Sequence, residues 1–236
     1  AGVAAGGQTP SVTTNTFEWN WDSTLAAGAW ATGGALTTGR SGLAGAGTQT
    51  AALAFGGTPP VTGKTEEYDG SSWTESGDLT TARTHPGGAG TQTAAIAFGG
   101  GPPETDVTET YNGSTWTEVD DLNTARRNHS GLGTQTAALS VGGTPPVVGI
   151  VESWNGTSWT EIADLNTARR SMAGVGISTA SLVFGGTPPV SAANESWDGS
   201  SWTEIADLNT ARDSLSGVGI QTLALAFGGY TATCLL

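Results

Sequence analysis

The sequence has little cysteine, little positive charge and no long apolar run, and each shortage argues against a class of protein. One cysteine, Cys234, among 236 residues excludes an internal disulfide framework. Eight Lys and Arg stand against 21 Asp and Glu, a net charge of −13. That balance disfavours a nucleic-acid partner, because phosphate contacts require a basic surface, and it disfavours anionic membrane for the same reason. No apolar run approaches the roughly 20 residues of a membrane span, so no membrane insertion is expected. The two histidines, His85 and His129, have no Cys or second His at metal-ligand spacing, and no metal is expected. No GxSxG elbow accompanies the many serines. The glycine-rich run 44–47 follows no strand-to-helix pattern that would make a phosphate loop. The carboxylates Glu75, Glu118, Glu161 and Glu204 form a series, whereas a glycosidase needs one pair. The expectation is therefore a protein without cofactor and without enzymatic activity.

Charged residues are only 12% and apolar residues 36%, with 37 Gly and 10 Pro. Such a composition borders on disorder, but strict periodicity argues for a folded chain. The stretch 200–212, SSWTEIADLNTAR, is one of five copies, the others being 157–169, 114–126, 71–83 and the more divergent 28–40. Its tryptophans are Trp30, Trp73, Trp116, Trp159 and Trp202, and its arginines Arg40, Arg83, Arg126, Arg169 and Arg212. Every step is 43 residues.

Each unit reads as four short strands. In the unit 170–212, strand a (170–177) is rich in glycine and small residues, and strand b (180–184) is almost wholly apolar and ends in Gly-Gly. A Pro-Pro loop follows. Strands c (194–197) and d (202–208) are joined through Asp198-Gly199, a strong hairpin signal. Four strands in about 40 residues is the pattern of a propeller blade. An apolar strand b suits a position covered on both faces, and a glycine-rich strand a suits the crowded centre. A two-helix repeat fails, because Gly-Gly, Pro-Pro and Asp-Gly or Asn-Gly interrupt every unit.

The order apolar strand, Gly-Gly, aromatic (Tyr68, Tyr111, Trp154, Trp197), Trp (Trp73, Trp116, Trp159, Trp202) and then Arg resembles the kelch repeat. The resemblance covers almost the whole chain, although the period is shorter than the roughly 50 residues usual for kelch units. The repeat wording is also similar to that of uncharacterised marine bacteriophage proteins. The kelch resemblance implies an all-β propeller, and in kelch proteins with acidic peptide ligands the matching arginines often contact the ligand.

Counting strands predicts a single domain over residues 1–236: a five-bladed propeller of four-stranded kelch-like blades, closed by both termini. The closing blade is expected to join 213–229 to about 14–38. Strand b has a sixth copy at 1–7, and burial favours the C-terminal copy, whose Leu225 and Phe227 are larger than Val3 and Ala5. That leaves 1–7 as a spare strand. An insertion within 20–29 contains Trp21. Val3 and Trp21 are accordingly the candidate assembly residues.

Alternate loops of a meander go to opposite faces, so the repeat arginines share a face with the b–c loops 58–64, 101–107, 144–150, 187–193 and 8–15. Those loops hold nine of the ten prolines and vary most between copies, as binding loops on a rigid frame do. Arg40, Arg83, Arg126, Arg169 and Arg212, with Arg127 and Arg170 beside two of them, are the candidate ligand-binding residues for an anion or carboxylate. The alternative is that the repeat arginines staple blades together, with Asp78, Asp121, Asp164 and Asp207 as available partners. Aromatic pairs such as Trp197 and Trp202 either stack on sugars or pack between blades. The expected function is a non-enzymatic binding or assembly propeller with a protein or glycan partner or self-association, in a virion or at a cell surface; the alternative is a carbohydrate-binding lectin.

Overall fold

A computed structural model describes residues 2–5, 13–20 and 29–231. Its described elements are all strands. The first sheet holds β1 (Gly2–Ala5), β2 (Thr16–Asn20) and β3 (Ala29–Thr32). Four sheets of four strands follow: β4 (Ala44–Thr48), β5 (Ala51–Phe55), β6 (Thr65–Tyr68) and β7 (Trp73–Glu75); β8 (Gly87–Thr91), β9 (Ala94–Phe98), β10 (Thr108–Tyr111) and β11 (Trp116–Glu118); β12 (Ser130–Thr134), β13 (Ala137–Gly143), β14 (Val148–Trp154) and β15 (Trp159–Ile162); β16 (Ala173–Ile177), β17 (Ala180–Phe184), β18 (Asn194–Trp197) and β19 (Trp202–Ile205). The last sheet is the pair β20 (Asp213–Ile220) and β21 (Leu223–Tyr230).

The fold is an all-β propeller with four blades of four antiparallel strands, which corrects the expectation of five. The strands expected to combine into a closing blade form two separate sheets. β1 pairs with β2 over Gly2↔Trp19 to Ala5↔Thr16, whereas β21 pairs with β20 alone. Two physical reasons favour this outcome. A hairpin between strands ten residues apart has a far smaller loop-closure cost than a pairing of the chain's two ends. In addition, the residue two before the aromatic that ends strand c is a buried glutamate in all four complete blades (Glu66, Glu109, Glu152, Glu195). In β2 that position is Phe17, which cannot ion-pair with the arginine beside β21.

Glycine is demanded where blades converge. The inner strands β4, β8, β12, β16 and β20 pack in sequence order. A Cβ on Gly131 would lie 2.4 Å from the backbone nitrogen of Gly88 on the neighbouring inner strand. The first glycine of each Gly-Gly pair is likewise fixed: Gly99 has φ +61°, and a Cβ there would lie 2.5 Å from the Arg126 carbonyl. Strand b supplies the core, with Phe55, Ile96, Phe98, Leu139 and Val183 fully buried.

Aromatic rings join neighbouring blades. The indole of Trp116 meets Phe55 of the preceding blade edge-on at 4.9 Å, and its Nε1–H donates to Thr65 Oγ1 at 2.9 Å. Trp159 repeats this with Phe98 (4.8 Å) and Thr108 (3.0 Å), and Trp73 donates to Thr16 at 3.0 Å. Edge-to-face contacts of this kind contribute about 0.5–1.5 kcal/mol beyond area burial. The aromatic pairs Tyr68–Trp73, Tyr111–Trp116, Trp154–Trp159 and Trp197–Trp202 are all at most 7% exposed, so they pack inside the frame.

Candidate functional site

The repeat arginines are built into that frame. Each of Arg40, Arg83, Arg126 and Arg169 lies in the connection that follows the outer strand of one sheet and reaches the glutamate of the next sheet's strand c. The four ion pairs are Arg40–Glu66, Arg83–Glu109, Arg126–Glu152 and Arg169–Glu195, at 2.5–2.9 Å. Arginine side chains are 1% exposed and glutamates 0%. The second carboxylate oxygen accepts the backbone N–H three residues before the arginine: Thr37, Thr80, Asn123 and Asn166, at 2.7–2.8 Å. The partner is thus a glutamate 26 residues onward and not the aspartate five residues before. Asp78, Asp121 and Asp164 instead accept the backbone N–H groups of Thr65, Thr108 and Val151. Burial pulls the Arg83 and Arg126 guanidinium pKa values down, and Glu109 and Glu152 oppose this.

Arg127, Arg170 and Arg212 are partly exposed. Arg127 pairs with Glu104 of the preceding blade's b–c loop at 3.1 Å. Arg212 donates to the Gly228 carbonyl at 2.8 Å. Val3 lies in the edge strand β1, opposite Glu18. Trp21 falls outside the described residues.

The face itself is as the strand order requires. Bridges Ser41↔Thr58, Thr84↔Gly101, Arg127↔Thr144 and Arg170↔Thr187 tie each d–a connection to the start of the b–c loop. Both proline bonds in each of the four Pro-Pro loops are cis. Between the inner strands lies a channel of about 1110 Å³.

At its mouth one residue at the start of each of the five inner strands adopts a left-handed backbone: Gly42 (φ 61°), His85 (53°), Asn128 (55°), Ser171 (54°) and Ser214 (53°). These five lie 43 residues apart and line the channel. They are chained to one another. The N–H of His85 donates to Gly42, Asn128 to His85, Ser171 to Asn128 and Ser214 to Ser171, at 2.6–3.3 Å. Left-handed non-glycine residues each cost about 1 kcal/mol or more, and here every one is held by the same interblade bond. The backbone ring is regular while its side chains differ (none, imidazole, amide, two hydroxyls). His85 Nδ1 lies 3.0 Å from Thr84 Oγ1. Desolvation, with Arg127 adding, holds its imidazole pKa below the ordinary value. The arrangement offers hydrogen-bond donors and acceptors beside two partly exposed guanidiniums, chemistry suited to carboxylates or polar ligands.

The residues singled out in the sequence, Arg127 and Arg170, stand one position before this ring. The available signal was the succession Gly, His, Asn, Ser, Ser at one repeat position, because Gly, Asn and His are the residues enriched at positive φ. Among the described residues no group of three His, Cys, Asp or Glu side chains is placed to hold a metal, and no helix is long and apolar enough to cross a membrane.

No protein-family model and no curated protein matches the sequence. Among solved structures, one titled "Structure of YjhT" superposes with a TM-score of 0.79 at 12% identity, covering 97% of this chain and 90% of that one. The likeness is one of fold, a β-propeller.

Proposed function

We propose that the protein is a non-enzymatic, kelch-like binding and assembly propeller, a structural or interaction component of a virion or cell surface. The observation that carries the reading is the channel mouth. A constant backbone ring presents different side chains at Gly42, His85, Asn128, Ser171 and Ser214, as a recognition surface on an invariant frame would. Arg170 lines that mouth, and Arg127, paired to Glu104, lies one residue from Asn128; basic groups there in an otherwise acidic protein suit an acidic protein segment as the partner. The similarity of the repeat wording to marine bacteriophage proteins supports the virion setting.

An acidic-peptide array together with a glycan array tests the reading. Acidic peptides should bind, weaken with rising salt, and be lost when Arg127 and Arg170 are replaced by Ala while the melting temperature is unchanged. Glycan binding without peptide binding would replace this reading with a lectin.

A further inference from the structure

The channel mouth holds one unit that the other repeats do not copy. Thr84 stands where they have Ser41, Arg127, Arg170 and Asp213, and it is only 3% exposed. Its Oγ1 donates to the Gly42 carbonyl at 3.1 Å and lies 3.0 Å from His85 Nδ1. A hydroxyl has one proton to give. The carbonyl can only accept, so that proton goes to Gly42, and Nδ1 must carry the hydrogen of the second bond. The neutral imidazole is thereby held as its Nδ1–H tautomer, and Nε2 is left as an acceptor. Among the described residues none hydrogen-bonds Nε2. His85 is exposed and lines the channel.

The ring is shaped around that imidazole. A Cβ on Gly42 would lie 2.8 Å from His85 Cε1 and 2.9 Å from Nε2, so the one glycine of the ring is the residue over which the imidazole lies. The backbone of His85 is fixed from both sides, its N–H donating to Gly42 at 2.6 Å and its carbonyl accepting from Asn128 at 3.3 Å. Few charged or titratable groups surround it. The connection before it presents the Gly42 backbone, and its own presents Thr84. The connection after it presents Asn128 and Arg127, the latter paired to Glu104 at 3.1 Å. Arg127 is the charged side chain that acts on the imidazole. His129, farther along, is buried and stacked on Phe98. All of these residues lie in or between complete blades. An acceptor nitrogen beside a guanidinium is a site that an anion completes only once the nitrogen has gained a proton.

We propose that His85 is the specificity-determining residue of the mouth: an Asp or Glu side chain of the bound segment docks against its Nε2, and binding takes up one proton from solvent to make that nitrogen a donor. The inference rests on the acidic-segment reading above. A carboxylate has no hydrogen to give to an unprotonated Nε2, so docking and protonation are linked. Desolvation and Arg127 hold the free imidazole below its ordinary pKa, and a docked anion moves it up. Affinity therefore rises as pH falls through the pKa of the bound state and levels off below that of the free state. Thr84 is the positioning residue, because it occupies Nδ1 and leaves Nε2 for the ligand.

The probe is a hexaglutamate peptide, titrated into the full chain by calorimetry at fixed ionic strength and in two buffers of different ionisation enthalpy. Binding should be about tenfold tighter at about pH 6 than at about pH 7.5, with uptake of close to one proton between them. His85→Asn keeps a residue suited to the left-handed backbone, as Asn128 is at the same repeat position. It should bind equally at both pH values, at the weaker affinity, and take up no proton. Ring-nitrogen NMR of the free protein, which has only two histidines, should show the Nδ1–H tautomer at His85, and Thr84→Val should release it to a mixture. Peptide binding without proton uptake, or a His85→Asn protein that keeps the pH dependence, would overturn the role of His85 and leave the acidic-segment reading standing. An Nε2–H tautomer in the free protein would overturn the role of Thr84 and with it the proposal. Absence of binding at both pH values would overturn the proposal and the reading together.

Discussion

Arg126 and Arg212 hold the same repeat position with different surroundings, and that contrast gives the sharpest test of the frame. Arg126→Met retains most of the aliphatic stem and removes the guanidinium. Glu152, fully buried, then loses the donor to Oε1 at 2.6 Å, while Oε2 keeps the backbone and side-chain N–H groups of Asn123 at 2.7 and 2.8 Å. Ser140 loses donors at its carbonyl (3.3 Å) and at Oγ (2.8 Å). Breaking a buried pair from one side costs about 3–5 kcal/mol, and the lost bonds to Ser140 add about 1 kcal/mol. A loss of about 4–6 kcal/mol is expected. Arg212→Met removes one hydrogen bond from a partly exposed side chain and should cost under about 1 kcal/mol.

Urea denaturation followed by tryptophan fluorescence measures both. With a slope of about 2–3 kcal/mol per M, Arg126→Met should move the midpoint down by roughly 1.3–3 M and Arg212→Met by less than about 0.5 M. The double variant Arg126→Met/Glu152→Leu should recover at least half of the loss, because no uncompensated charge remains. Equal costs for the two single arginine variants, or a double variant no better than Arg126→Met, would refute the staple.

Three further outcomes follow from the same geometry. His129, stacked on Phe98 and bonded through Nε2 to the Phe98 carbonyl, has its pKa pulled down to about 3 by burial and by Arg126; its ordinary value is about 6.5. The unfolded chain therefore takes a proton below about pH 6.5 that the folded chain refuses until near pH 3, and stability should fall by about 1.4 kcal/mol per pH unit over that window. His129→Gln should flatten the stability–pH curve between pH 6 and 4.5, and an unchanged slope would refute the assignment. Trp202 Nε1 is buried without a partner, because Val151 stands where Thr65 and Thr108 accept from Trp116 and Trp159; Val151→Thr should stabilise the protein by up to about 1 kcal/mol, and a loss larger than 1 kcal/mol in thermal unfolding would count against that register. Gly131→Ala should destabilise by about 1–3 kcal/mol, because its Cβ meets backbone that cannot move aside; a neutral result would mean the inner strands are less tightly converged.

What the sequence discloses and what it withholds have the same cause. A 43-residue period, Gly-Gly after an apolar strand and an Asp-Gly or Asn-Gly turn are local signals, and they lead directly to four-stranded antiparallel sheets and to the sharing of one face by the d–a and b–c loops. The arginine's partner is set by the approach of two sheets, so the nearest carboxylate in sequence was the wrong one, and Asp78, Asp121 and Asp164 serve backbone N–H groups instead. The blade count failed for a related reason: strands at the two ends were pooled by number, without asking whether their side chains complete each other's bonds. The mismatch was readable, since glutamate at 66, 109, 152 and 195 has Phe17 as its counterpart in β2. The same bookkeeping assigns the channel ring, where the backbone repeats and the side chains do not. In a chain whose frame is copied so closely, a copied residue is explained by the frame. Binding chemistry is therefore to be sought where a copy changes its side chain, as at His85 and Asn128.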